Sequence, residues 1–226
     1  MKLSTRMGWT GLTIAASLAV TATTQAAMIS LDFVKITNNN VEDLSDQLGA
    51  TFYDSTGAFN AFGINIAANE ILLAVTNDVG INSNIAEVYI DQDGLIDSQT
   101  GVLQLGGTVN FSGGGANPPN LPGANNATPP FNATPSLSAD VNPGPPTNGV
   151  NAASDILGLV YELDGGLDFS DVIADLNSGE LRVGYHIRSI GTADDSDSYV
   201  GFIPEPGTLA LLAAGAMVML RRPRQA

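Results

Sequence analysis

Between residues 29 and 203 the apolar residues recur with a period of two, broken every few positions by Gly, Asn or Asp. No other feature limits the fold as strongly. Period two sends alternate side chains to opposite faces of a strand, and the breaks supply turn conformations. Segments 29–37, 51–53, 58–66, 70–76, 85–91, 102–105 and 109–111 read as strands, and so do 155–163, 181–190 and 199–203. Residues 155–163 are apolar on both faces, as in a strand covered on both sides. In 181–190, Leu181, Val183, Tyr185 and Ile187 face one way, and Arg182, Gly184, His186 and Arg188 the other. One short helix is expected, capped by Ser170, with Asp171 in its first turn and Gly179 at its end. Many short strands without strand–helix alternation predict an all-β fold over residues 27–202, an antiparallel β-sandwich or jelly-roll-like domain. There is no cysteine, so burial rather than disulfides must hold it together.

Residues 112–149 break the pattern. Gly, Pro, Asn, Ala and Thr dominate, and Leu121, Phe131, Leu137 and Val141 stand isolated. The expectation is a long surface loop rather than a second core, with 136–140 adding one short edge strand.

Both termini carry a different composition. Residues 1–26 read as a secretory signal peptide. Lys2 and Arg6 form the charged start, an uncharged apolar stretch follows, and Thr24-Gln25-Ala26 offers small residues for signal peptidase, with cleavage expected after Ala26. At the other end Pro204-Glu205-Pro206 forms a stiff extended element. From 208 to 220 every residue is apolar, Gly or Thr, so a helix there would be apolar all round and suited to lipid. It would reach only ~20 Å against a hydrocarbon thickness of ~30 Å, a short transmembrane span. Arg221, Arg222 and Arg224 then belong on the cytoplasmic side.

This order of parts resembles the PEP-CTERM sorting signal of Gram-negative bacteria. Pro204, Glu205 and Pro206, the run to Leu220, and Arg221 and Arg222 stand at the matching positions, while Pro223 interrupts the arginine cluster. The resemblance spans residues 203–226. It implies processing by an exosortase, a membrane-embedded cysteine transpeptidase, after transient anchoring in the inner membrane. Delivery to the cell surface or an exopolysaccharide or biofilm matrix would follow. It concerns routing and implies no activity.

The charge balance narrows the partners further. Between residues 27 and 203 only Lys35, Arg182 and Arg188 oppose 22 acids, a formal charge of −19. Nucleic acid and anionic lipid demand a cationic face and are therefore poor partners, while cations, neutral sugars or simple solvation fit better. Asp91, Asp93 and Asp97 alternate around Gly94 as in a Ca²⁺-binding loop, but Tyr89 and Thr100 stand where the two end ligands belong. A turn at Asp93-Gly94 with solvated acids is the other reading. Asp194, Asp195 and Asp197 form a second acidic group, read as a hydrated loop. His186 is the only histidine, and no Gly-x-Ser-x-Gly or His-x-x-x-His accompanies it. Arg182, His186 and Arg188 therefore read as a polar strand face paired with acids, or as a face that binds acidic sugars. A non-catalytic exported protein is expected. A carbohydrate- or calcium-binding module and a surface glycosidase or lyase stay open as alternatives.

Overall fold

The computed structural model describes residues 27–144 and 148–203. The expected signal peptide, the apolar run 208–220 and the motif residues Pro204, Glu205, Pro206, Arg221 and Arg222 lie outside the described residues. Ten strands form the fold: β1 (Met28–Lys35), β2 (Leu48–Tyr53), β3 (Glu70–Asn77), β4 (Asn84–Asp91), β5 (Ile96–Gly106), β6 (Phe111–Gly113), β7 (Ala139–Val141), β8 (Ile156–Leu163), β9 (Arg182–Ile190) and β10 (Asp195–Phe202). Helices α1 (Ser55–Phe62) and α2 (Phe169–Ser178) complete it.

The strands join in the order β5-β8-β3-β2-β1-β10-β9-β4-β7-β6, and every neighbouring pair is antiparallel. β1 serves two layers. Its first half pairs with β2, from Met28 opposite Tyr53 to Leu31 opposite Ala50. Its second half pairs with β10, from Asp32 opposite Phe202 to Lys35 opposite Tyr199. The sheet thus folds over itself along β1 and encloses one core, and its two free edges nearly meet. There Gln99 of β5 accepts a hydrogen bond from the Gly114 N–H at 2.8 Å. The all-β antiparallel expectation holds, as one continuous, nearly closed sheet.

Apolar side chains from both layers fill the core, including Phe33, Phe52, Leu73, Leu159, Val183 and Ile187. Phe33 stacks on Tyr185 with ring centroids 4.4 Å apart. Tyrosine hydroxyls satisfy backbone groups at the core's margin: Tyr185 donates to Gly49 O at 3.0 Å and Tyr161 to Leu137 O at 3.0 Å. A buried Tyr needs such a partner for its polar end.

The structure departs from the sequence reading in three places. Residues 58–66, read as a strand, hold none: 58–62 belong to α1 and 63–66 follow its end without regular structure. Asp54 caps the helix, accepting from Gly57 N–H at 2.6 Å, and Gly63 closes it at φ 68°. Ala58 then packs on Leu72 and Val160. A strong cap and a left-handed terminator outweigh a weak alternation. The domain therefore has two α-helices instead of one. In α2 the cap is Asp168, two residues earlier than expected, reciprocated by Asp171 in a capping box. Finally, part of the 112–149 excursion packs on the sheet. Leu121, Ala124, Ala127, Phe131 and Ala133 form a second small core with Tyr89 and Val200 on the outer face of the β10-β9-β4 layer. Gly184 makes room for it, since a Cβ there would meet Leu121 at 2.9 Å and Phe131 at 3.0 Å. β7 is no edge, because it lies between β4 and β6.

Candidate functional site

Alternation turns Arg182, His186 and Arg188 of β9 to the outer face, and the sheet register brings polar residues of other strands beside them. Ser112, Asp140, Glu87, His186 and Ser198 are successive cross-strand partners, forming one lateral row over β6, β7, β4, β9 and β10. Glu87 is 1% exposed. Its Oε2 lies 2.8 Å from His186 Nδ1, and its Oε1 accepts from Arg188 at 2.5 Å. A carboxylate withdrawn from water needs partners of this kind. Burial pushes the Asp140 carboxyl above the ordinary carboxylate range, and the nearby Glu87 charge pushes it the same way.

The row contains a hydroxyl, an imidazole and a carboxylate in sequence, the residue types of a Ser–His–acid nucleophile. What it lacks is access. Ser198 and Glu87 each keep 1% of their surface, and the Ser198 hydroxyl has no hydrogen bond among the described residues. A substrate carbonyl has no route to that oxygen in this conformation.

Arg182 is equally committed. Its guanidinium pairs with Asp91, donates to the carbonyls of Pro129 at 2.7 Å and Pro130 at 2.8 Å, and lies 5.3 Å over the Phe131 ring. Arg182 thereby ties the packed loop to β4. The structure brings Arg182, His186 and Arg188 onto one face and gives each an internal acid. Arg188, with 36% of its side chain exposed, keeps the most contact with solvent.

The three expected calcium ligands do not converge. Asp91 points to Arg182 and accepts from the Asn132 N–H at 3.0 Å. Asp93 and Asp97 are exposed. Gln92 closes the turn instead, accepting from the N–H groups of Leu95 at 2.7 Å and Ile96 at 3.2 Å, with Gly94 at φ 80°. That turn carries the chain from one layer to the other. Among the described residues no group of three His, Cys, Asp or Glu is arranged to hold a metal ion.

The second acidic group is also split. Asp194 sits in a turn at φ 59°, but Asp197 belongs to β10 and is 1% exposed. It binds Lys35 Nζ at 2.8 Å and accepts from Thr37 Oγ1 at 2.8 Å and from the N–H groups of Asn39 and Asn40 at 2.8 and 3.0 Å. Burial alone would raise this carboxyl. The Lys35 bond, with those from Asn39, Thr37 and Asn40, outweighs burial and holds it below the ordinary range. This anchor was not expected from sequence, since its partners lie about 160 residues away.

A groove of about 650 Å³ runs along the outer face of β1 and β10 between the packed loop and the end of α2. Val34, Ile36, Leu176, Pro129, Phe202 and Ile203 line it, with Val34 and Phe202 roughly half exposed. Ile203 is the last described residue, so the groove opens where the chain leaves the sheet. No helix among the described residues is long and apolar enough to cross a membrane.

No curated protein and no solved structure matches the chain. One family model does match: residues 202–225 fit the PEP-CTERM protein-sorting motif. The match begins at Phe202, inside β10, so folded body and motif adjoin without a linker. The chain carries a PEP-CTERM sorting motif, which marks an exported protein that is processed by exosortase and held transiently in the membrane on its way to surface display.

Proposed function

We propose that this chain is a non-catalytic surface or matrix protein whose acidic β domain acts in an exopolysaccharide or biofilm matrix. In this reading residues 1–26 are removed by signal peptidase, and the span 208–220 holds the domain at the inner membrane until exosortase acts. The observation that carries the reading is the sorting motif at residues 202–225. The formal charge of −19 between residues 27 and 203 suits a hydrated matrix and disfavours nucleic acid. The burial of Ser198 and Glu87 supports a structural role for the polar row.

Deleting residues 204–226 tests the routing. In the native host the shortened protein is expected in the soluble fraction, with no exosortase-dependent change in mass. Unchanged membrane retention and processing would overturn the reading. A serine-directed phosphonate that labels Ser198 in the native protein would overturn its non-catalytic part.

A further inference from the structure

Both membrane-directed ends of the chain leave the domain at one end. Met28 pairs with Tyr53 and Phe202 with Asp32, so the start of β1 and the finish of β10 lie at the same end of the sheet. α1 follows Tyr53 and is tied there, with Asp54 N–H donating to Ala27 O at 3.1 Å. α2 enters β9 at Arg182, beside Asp91, again at this end. Of the exposed large apolar side chains, Met28, Phe59 and Phe202 lie here, at 66%, 54% and 46% exposure. Val41, 96% exposed, sits at the far end in the loop between β1 and β2.

The chain length beyond Ile203 fixes what this end meets. Only residues 204–207 separate Ile203 from the apolar run, and four extended residues span at most ~14 Å. The headgroup layer takes up roughly 5–7 Å of that on each side of the bilayer. The sheet therefore has almost no freedom to turn another end towards the membrane while the run 208–220 is inserted.

Charge acts against this contact. Asp93, Asp171, Asp175 and Glu180 face one another at the same end, and Asp175 is pushed up first by burial and then by the charges of Glu180, Asp171 and Asp93. Such a surface is repelled by an anionic leaflet.

Resting on the routing reading above, we infer that the end bearing α1, Phe202 and the Ile203 groove is the membrane-apposed face of the anchored protein. Phe202 and Phe59 touch the boundary between headgroups and acyl chains. The tether supplies the proximity, and the acidic residues return the domain to water once the tether is cut.

The test uses the chain from Ala27 to Ala226, which contains every described residue and no tryptophan, since the single tryptophan is Trp9. Phe202→Trp, Phe59→Trp and Val41→Trp are each reconstituted into phosphatidylcholine vesicles with bromine on the shallow acyl carbons. All three sites are exposed, and equal melting temperatures confirm that the fold is kept. Tryptophan at 202 and 59 should lose fluorescence to the bromine while tryptophan at 41 does not. Cleavage of the chain after Ile203 should abolish the quenching. If the protein resists alkaline extraction from the vesicles yet all three sites behave alike, the inference falls and the routing reading stands. If it is extracted, the run 208–220 does not insert, and both fall.

Discussion

Replacing Asp197 by alanine should destabilise the domain by about 3–5 kcal/mol, the usual cost of removing one partner from a buried ion pair. Lys35, 12% exposed in its side chain, would lose its carboxylate, and the N–H groups of Asn39 and Asn40 and the Thr37 hydroxyl would lose an acceptor. Those groups hold the chain between β1 and β2 against β10, so the loss reaches the seam of the two layers. The pH dependence follows from the lowered carboxyl of Asp197. A carboxyl with a depressed folded value contributes stability above its unfolded value, ~3.9, and that contribution disappears as pH falls through the folded value. Urea unfolding of the wild type and Asp197→Ala should therefore differ most at neutral pH and converge below about pH 4. A difference under about 1 kcal/mol at pH 7 would show that the anchor is dispensable.

Phe131→Ala should cost about 3–5 kcal/mol, the range for emptying a buried aromatic site. Phe131 is 2% exposed, rests against Gly184 and carries the Arg182 guanidinium on its ring. The small core that it shares with Leu121 and Ala127 has few other large members, so little can fill the void. Limited proteolysis should cut the variant between β6 and β7 before the sheet unfolds, because the void lies between the loop and the sheet. If the loop stays resistant and stability is unchanged, hydrogen bonds such as Thr134 N–H to Ile90 O at 2.7 Å hold it without the ring.

The sequence showed what local pattern can show. The alternation in 181–190 placed Tyr185 inside and His186 outside correctly, and the two-faced apolar run around Leu159 became β8, between β3 and β5. Pairing across the sheet was not legible. Alternation gives a residue's face but not its neighbour, and Ser198, His186 and Glu87 meet only through register. One trace existed: Glu87 is a single acid inside the apolar run from Ile85 to Ile90, and all of these residues are buried. Phe131 and Leu121 were misjudged because isolated apolar residues in a Gly/Pro-rich stretch show no partner; theirs lie on β4 and β10. In 58–66 the apolar spacing suggested a strand, and the helix signals, the Asp54 cap and the terminating Gly63, lie at the borders of α1.

The pairing of β1 with β10 has a kinetic meaning for export. In a chain exported N-terminus first, the first strand to emerge borders the last, with pairs such as Asp32 and Phe202 spanning most of the folded body. Closure of the sheet must wait until residue 202 has emerged, and loop-closure entropy makes such remote pairing slow. The sorting motif begins at that same residue, so the strand that closes the sheet and the start of the motif are one stretch of chain.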